Sequence, residues 1–136
     1  MPRTLRASAG GYGYYVLNRG NARSQIFHTD ADYEAFLRLI AEAGLRVPMQ
    51  VLAYCLMPNH FHLVARPRHD GDLSRWMHWL MNAHVRRHAA VHRTTGHVWQ
   101  GQFKVFAAQD DDHLVTALRY VERNALRAGR EDRSEA

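Results

Sequence analysis

The chain is poor in the residues that mark secreted or membrane proteins. It has one cysteine, Cys55, among 136 residues. A lone thiol excludes an intramolecular disulfide, and inside an apolar run it reads as buried, so a reducing, cytoplasmic setting is expected. No run approaches the ~20 apolar residues of a membrane helix. The opening residues, Met-Pro-Arg-Thr-Leu-Arg-Ala-Ser-Ala-Gly, lack the apolar core of a signal peptide. No membrane partner is expected. Internal repeats are absent. Lysine is nearly absent too: of 18 cationic side chains 17 are arginine, and Lys104 is the exception.

What is present is a basic, apolar-rich chain. An apolar fraction of 46% excludes disorder, and the length suits one domain. The boundaries fall as a loose arm over 1–11, a domain over 12–130 and a short tail over 131–136. A net charge of +5 makes nucleic acid the leading partner class. Arginine's planar fork suits phosphate, although a GC-rich genome would enrich arginine as well.

Apolar periodicity and turn residues set out the elements. Gly13 to Asn18 reads as a strand, closed by Arg19-Gly20-Asn21. Asp30 reads as the N-cap of a helix to about Ala43, with Tyr33, Phe36, Leu37 and Ile40 on one stripe and Gly44 just past its end. Val47 to Arg66 reads as a hairpin about Pro58-Asn59, closed by Pro67. A second helix from Asp72 carries Leu73, Trp76, Met77, Leu80, Met81, His84 and Val85 inward. After a turn at Thr94-Thr95-Gly96, residues 97–106 read as a last strand with a kink at Gly101. Asp110-Asp111-Asp112 opens a third helix to Gly129; acidic residues at a first helical turn answer the helix dipole and need no metal. The order β-α-β-β-α-β-α predicts an α+β fold, a ferredoxin-like or palm-like antiparallel sheet with helices packed on it.

The hairpin holds the chemistry. In the run Met57-Pro58-Asn59-His60-Phe61-His62-Leu63-Val64, strand alternation puts His60 and His62 on one face and Phe61 and Leu63 on the other. Two imidazoles side by side are half of a metal site. On the third helix the stripe is Leu114, Ala117, Leu118, Val121 and Ala125, and Tyr120 and Asn124 lie i and i+4 along its flank. By residue type alone these two read as a core-edge aromatic and a solvated amide.

The runs Met57 to Leu63, Trp99-Gln100-Gly101-Gln102-Phe103-Lys104 and Arg119-Tyr120-Val121-Glu122-Arg123-Asn124 resemble the REP-associated tyrosine transposases. These are small relatives of the single-tyrosine insertion-sequence transposases in the HUH nuclease superfamily. Leu17 to Asn21 and Leu52 to Leu56 extend the similarity, which covers about residues 12 to 129. The resemblance implies that His60, His62 and Asn124 ligate a divalent ion, Mg²⁺ or Mn²⁺, and that Tyr120 is the nucleophile. It also implies nicking and strand transfer on single-stranded and hairpin DNA through a 5′-phosphotyrosine, in DNA transposition, by a monomer or homodimer.

For the DNA surface the expected residues are Asn18, Arg19, Arg23, Arg86, Arg87, Arg93, Trp99, Gln100 and Lys104, combining cations with a stacking ring. Two features depart from the family pattern. Ala125 stands where proline usually follows the asparagine, and the chain stops seven residues past Gly129, so a C-terminal contribution to binding is not expected.

Rival readings are weaker. A His-x-His-x-His hydrolase would need histidine where Val64 stands, and a His-x-His amidohydrolase would need a barrel of ~250 residues. A structural histidine pair on a solvated strand is a further possibility. The main alternative is a domesticated domain that binds DNA hairpins without cutting them.

Overall fold

Side chains of the first strand, β1 (Gly13–Arg19), alternate between two environments: Tyr14, Val16 and Asn18 are buried, while Tyr15 and Leu17 are half-buried and Arg19 is exposed. The computed structural model of the chain describes residues 9–93 and 97–108. After β1 come a short 3-10 turn (Asn21–Arg23), α1 (Asp30–Arg46), β2 (Met49–Met57), β3 (His60–Pro67), α2 (Asp72–His92) and β4 (Lys104–Ala108). The strands form one sheet in the order β2-β3-β1-β4, every neighbouring pair antiparallel. This is the expected ferredoxin-like α+β arrangement through β4. The expected third helix, with Tyr120 and Asn124, lies outside the described residues, as do most of the N-terminal arm and the turn at 94–96.

Both described helices cover the same sheet face. Tyr14, Val16, Phe61, Leu63 and Ala65 from the strands pack with Phe36, Leu73, Trp76, Met77 and Leu80 from the helices, all buried. Burying side chains of this size contributes about 1.5–3 kcal/mol each. Trp76, Met77 and Met81 are therefore core, as their spacing predicts. The opposite face carries a smaller cluster, Cys55 and Val64 with Tyr15, Ala53 and Met57 beside them. Burial pushes the Cys55 thiol up to about 11, so it stays protonated.

Several boundaries differ from the sequence reading. Thr29, not Asp30, caps α1: its hydroxyl accepts from the Asp32 N–H while Asp32 accepts from the Thr29 N–H, a reciprocal capping box. Gly44 does not end α1, which runs on to Arg46 with Val47 as its cap. A Cβ at Gly44 would meet nothing within 4 Å. That glycine therefore serves no tight approach, and the helix passes through it. Pro67 is the last residue of β3 rather than a stop beyond it. The last strand begins at Lys104 and not at His97, because residues 97–103 are occupied otherwise. Trp99 forms a lone bridge to Gly20 and turns its ring into the core, and the chain bends at 100–102 before pairing with β1.

Candidate functional site

The histidine hairpin is held at its tip from outside. Gly20 N–H donates to Asn59 O at 2.9 Å, and the N–H groups of Ile26 and Phe27 both donate to Pro58 O, at 2.7 and 3.1 Å. Gly20 is required at this point, because a Cβ there would sit 2.1 Å from the Ser24 carbonyl oxygen. The two-residue turn is thus fixed by the segment that follows β1, and His60 begins β3 directly beyond it.

Residues opposite one another in antiparallel strands share a face. One row across the sheet runs Cys55, His62, Leu17, Lys104, and the next runs Met57, His60, Arg19. His60 and His62 therefore stand together on the face away from α1 and α2, with Arg19 and Lys104 on that same face. Their rings meet edge to face, with centroids 5.0 Å apart. His62 is buried and His60 half-buried.

Each imidazole is oriented by a partner at Nδ1. His60 Nδ1 donates to Asn59 Oδ1 at 2.7 Å, and His62 Nδ1 lies 2.5 Å from the Tyr15 hydroxyl. A histidine tied through Nδ1 presents Nε2 to a metal, and such second-shell bonds fix both tautomer and ring plane. Burial lowers the pKa of His60. Burial, and then the neighbouring His60, bring His62 down to about 4. Both rings are neutral at pH 7, the form that ligates. Two anchored neutral imidazoles side by side fit a divalent ion.

The other expected site residues divide into three groups. Arg19 and Gln100 are exposed and joined through Arg19 Nε and Gln100 Oε1, close to the histidine face. Lys104 is exposed on that face, and Arg23 is exposed in the turn after β1. Asn18 is buried on the helix side, donating to Gly101 O at 3.2 Å and accepting from the Arg19 N–H at 2.8 Å. Trp99 is also inside: its ring lies against Phe61 and His84, and its Nε1–H donates to Met81 O at 3.2 Å. Its contribution at the surface is the placement of its neighbour Gln100. Arg86, Arg87 and Arg93 belong to the end of α2, in the helix layer across the sheet, and Arg87 pairs with Asp32 at 2.6 Å.

Sequence reasoning missed Tyr15 and Asn59 as partners of the histidines. Asn59 was visible as a turn residue. Tyr15 reaches His62 only through the β1–β3 register, a long-range pairing that no local pattern encodes. A further group of imidazoles, His28, His88 and His92, stands in the helix layer.

The four-stranded antiparallel sheet carries a histidine pair on its helix-free described face, and comparison with known proteins supplies the family. The family model described as "Transposase IS200 like" matches residues 10–124, and the chain belongs to that family. Among solved structures, a REP-associated tyrosine transposase bound to a REP hairpin superposes with a TM-score of 0.77 at 18% identity, covering 96% of this chain and 76% of that one. A protein from Deinococcus radiodurans assigned as a transposase superposes with a TM-score of 0.59 at 16% identity, covering 82% and 88%. At these identities the likeness is one of fold. No curated protein matches the chain by sequence. No helix among the described residues is long and apolar enough to cross a membrane.

Proposed function

We propose that this transposase nicks and rejoins single-stranded DNA beside hairpins, using Tyr120 as nucleophile and a divalent ion, Mg²⁺ or Mn²⁺, at His60, His62 and Asn124. The observation that carries the reading is the anchored pair His60 and His62, with Arg19 and Lys104 on the same sheet face. Membership of the transposase family supports it. The fold neighbour's own ligand, a REP hairpin, supplies the substrate class.

A divalent ion bound there would polarise the scissile phosphate as a Lewis acid and help position it. The remaining work falls to side chains. Tyr120 oxygen attacks phosphorus, a P–O(Tyr) bond forms, and the bond to the 3′ oxygen breaks. That oxygen leaves as a 3′ hydroxyl once protonated, while the 5′ phosphate stays on the tyrosine. A 3′ hydroxyl then attacks the same phosphorus and releases the phenol, so no bond energy is lost between cutting and joining. Arg19, Arg23, Gln100 and Lys104 are the residues assigned to the strand beside this centre, through phosphate contacts that position rather than specify. Arg86, Arg87 and Arg93 would serve a separate, more distant backbone contact, while Asn18 and Trp99 hold the loop that presents Gln100.

The test is incubation of the full chain with hairpin-bearing single-stranded DNA and Mn²⁺ or Mg²⁺, followed by a denaturing gel. A covalent protein–DNA adduct is expected from wild type, greater with Mn²⁺ at low concentration because imidazole suits Mn²⁺ better than Mg²⁺. None is expected from Tyr120→Phe. An adduct from the Phe variant would refute the nucleophile. Tight hairpin binding with no adduct from wild type on any hairpin substrate would favour the domesticated, non-cutting alternative.

A further inference from the structure

Along α2, histidines recur at every fourth residue: His84, His88 and His92. That spacing aligns them on one face of the helix. His84 is fully buried, His88 buried and His92 half-buried, so the row climbs from the core to the rim. At the rim it meets His28, an exposed residue just before the Thr29 cap of α1. His28 Nε2 and His88 Nε2 are 3.1 Å apart. Ring centroids are 4.5 Å apart for His28 and His92 and 4.9 Å for His88 and His92. One ligand nitrogen from each of the three lies within 4.8 Å of the others.

Asp32 organises the group. Its Oδ2 accepts from His28 N–H at 2.7 Å and contacts His92 Nε2 at 2.9 Å, while Oδ1 pairs with Arg87 at 2.6 Å. Because the carboxylate oxygen accepts, His92 carries its proton on Nε2, which leaves Nδ1 as its ligand atom. A carboxylate behind a histidine in this way is the usual second shell of a metal-binding imidazole. In a tetrahedral zinc site with Zn–N near ~2.0–2.1 Å, ligand nitrogens stand roughly 3.4 Å apart. The His28–His88 pair, at 3.1 Å, is already within a few tenths of an ångström of that separation. Rotation of the half-buried His92 and the exposed His28 closes the rest.

We propose that His28, His88 and His92 form a second metal site, selective for Zn²⁺ or a similar borderline transition ion, that staples the start of α1 to the end of α2. Three imidazoles with no hard oxygen donor in the first shell favour such ions over Mg²⁺. The site is separate from the histidine pair of β3. It belongs to the helix layer, whereas His60 and His62 face away from both helices on the other side of the sheet. Its role is structural: it joins the loop before α1, whose backbone also holds the hairpin tip, to the outer end of α2.

The test uses the full chain and Co²⁺ as a spectroscopic stand-in for Zn²⁺. The H60A/H62A double variant should bind one Co²⁺ per chain with visible absorption bands of an imidazole-ligated ion, and its Tm should rise with Zn²⁺. Adding His28→Ala should remove both signals, weakening affinity by more than the ~10–100-fold that loss of a second-shell group costs. His28 is exposed, so the metal-free Tm should hold and report an intact fold. His28→Cys should restore binding and add a thiolate charge-transfer band in the near ultraviolet. No Co²⁺ binding by the double variant, or an unchanged spectrum with His28→Ala, overturns the proposal. If the double variant is unstable, the stoichiometry of His28→Ala against wild type decides: a drop of one ion supports the site, and no drop overturns it. DNA cleavage does not enter these readouts, so failure of the nuclease reading is told apart from failure of this one.

Discussion

The sheet separates two groups of histidines that physical chemistry treats differently. On the helix-free described face, His60 and His62 are two residues apart on a strand, each gripped at Nδ1 by a neighbour, Asn59 or Tyr15. On the helix face, His84, His88 and His92 are spaced by four along α2, and burial loosens along the row from His84 and His88, both buried, to the half-buried His92. His84 packs against Phe27 and Phe36 and its Nε2 contacts Ile26 O at 3.0 Å. The strand pair is preorganised as a unit by tertiary contacts. The helical row is one packing residue grading into an adjustable rim cluster. The same side chain is thus left able to ligate or sealed into the core according to what holds its second nitrogen.

The largest effect should come from the strand pair. His60→Ala or His62→Ala should reduce the covalent adduct below detection while the circular dichroism spectrum stays native; full activity in either variant, or in EDTA, would break the comparison. His84→Ala should do the opposite. It deletes a buried ring and should lower stability by about 2–5 kcal/mol in denaturant unfolding, and what remains folded should still form the adduct.

Tyr15→Phe sharpens the contrast at smaller scale. It removes one oxygen from His62 Nδ1, and metal affinity at the pair should fall by about 10–100-fold with little change in Tm. An unchanged affinity would mean that the hydroxyl does not orient the ring.

A further effect is one of pH. Burial holds His84 down to about 4, whereas in the unfolded chain it takes up its proton near ~6.5. Between those values the unfolded state binds more protons, so the stability contributed by His84 is complete above about 6.5 and declines as pH falls toward 4. Asp32 acts in a lower window. Burial raises its pKa, but Arg87, the His28 N–H and His92 together outweigh that and hold the carboxyl well below the usual range, so its contribution is lost only below about 4. His84→Leu should make the first window shallower, with His62 still contributing to it, and leave the second, as urea midpoints measured across pH would reveal.

Much of this was legible in the sequence. The hairpin and the shared face of His60 and His62 follow from period-two alternation about a Pro-Asn turn, and the inward face of α2 follows from its apolar spacing. Local patterns failed where distant residues decide. Trp99 sits in a run that reads as strand, yet its indole is drawn into the core beside Phe61 and His84, which delays β4 to Lys104. His88 and His92 are visible as an i, i+4 pair, but nothing local announces that His28 joins them, a contact across 60 residues. Of the surface proposed for DNA, the cations were readable as a set but not their division between the two sides of the sheet, which only strand register fixes.

The grip on the hairpin tip has a dynamic consequence. The Gly20, Ile26 and Phe27 amides donate to the turn carbonyls of Asn59 and Pro58. Their hydrogens can exchange with solvent only when the segment after β1 lifts away from the turn. The exchange rates of these three protons therefore report what fraction of the time the histidine strand lacks its external clamp, a gauge of site integrity read without metal, DNA or turnover.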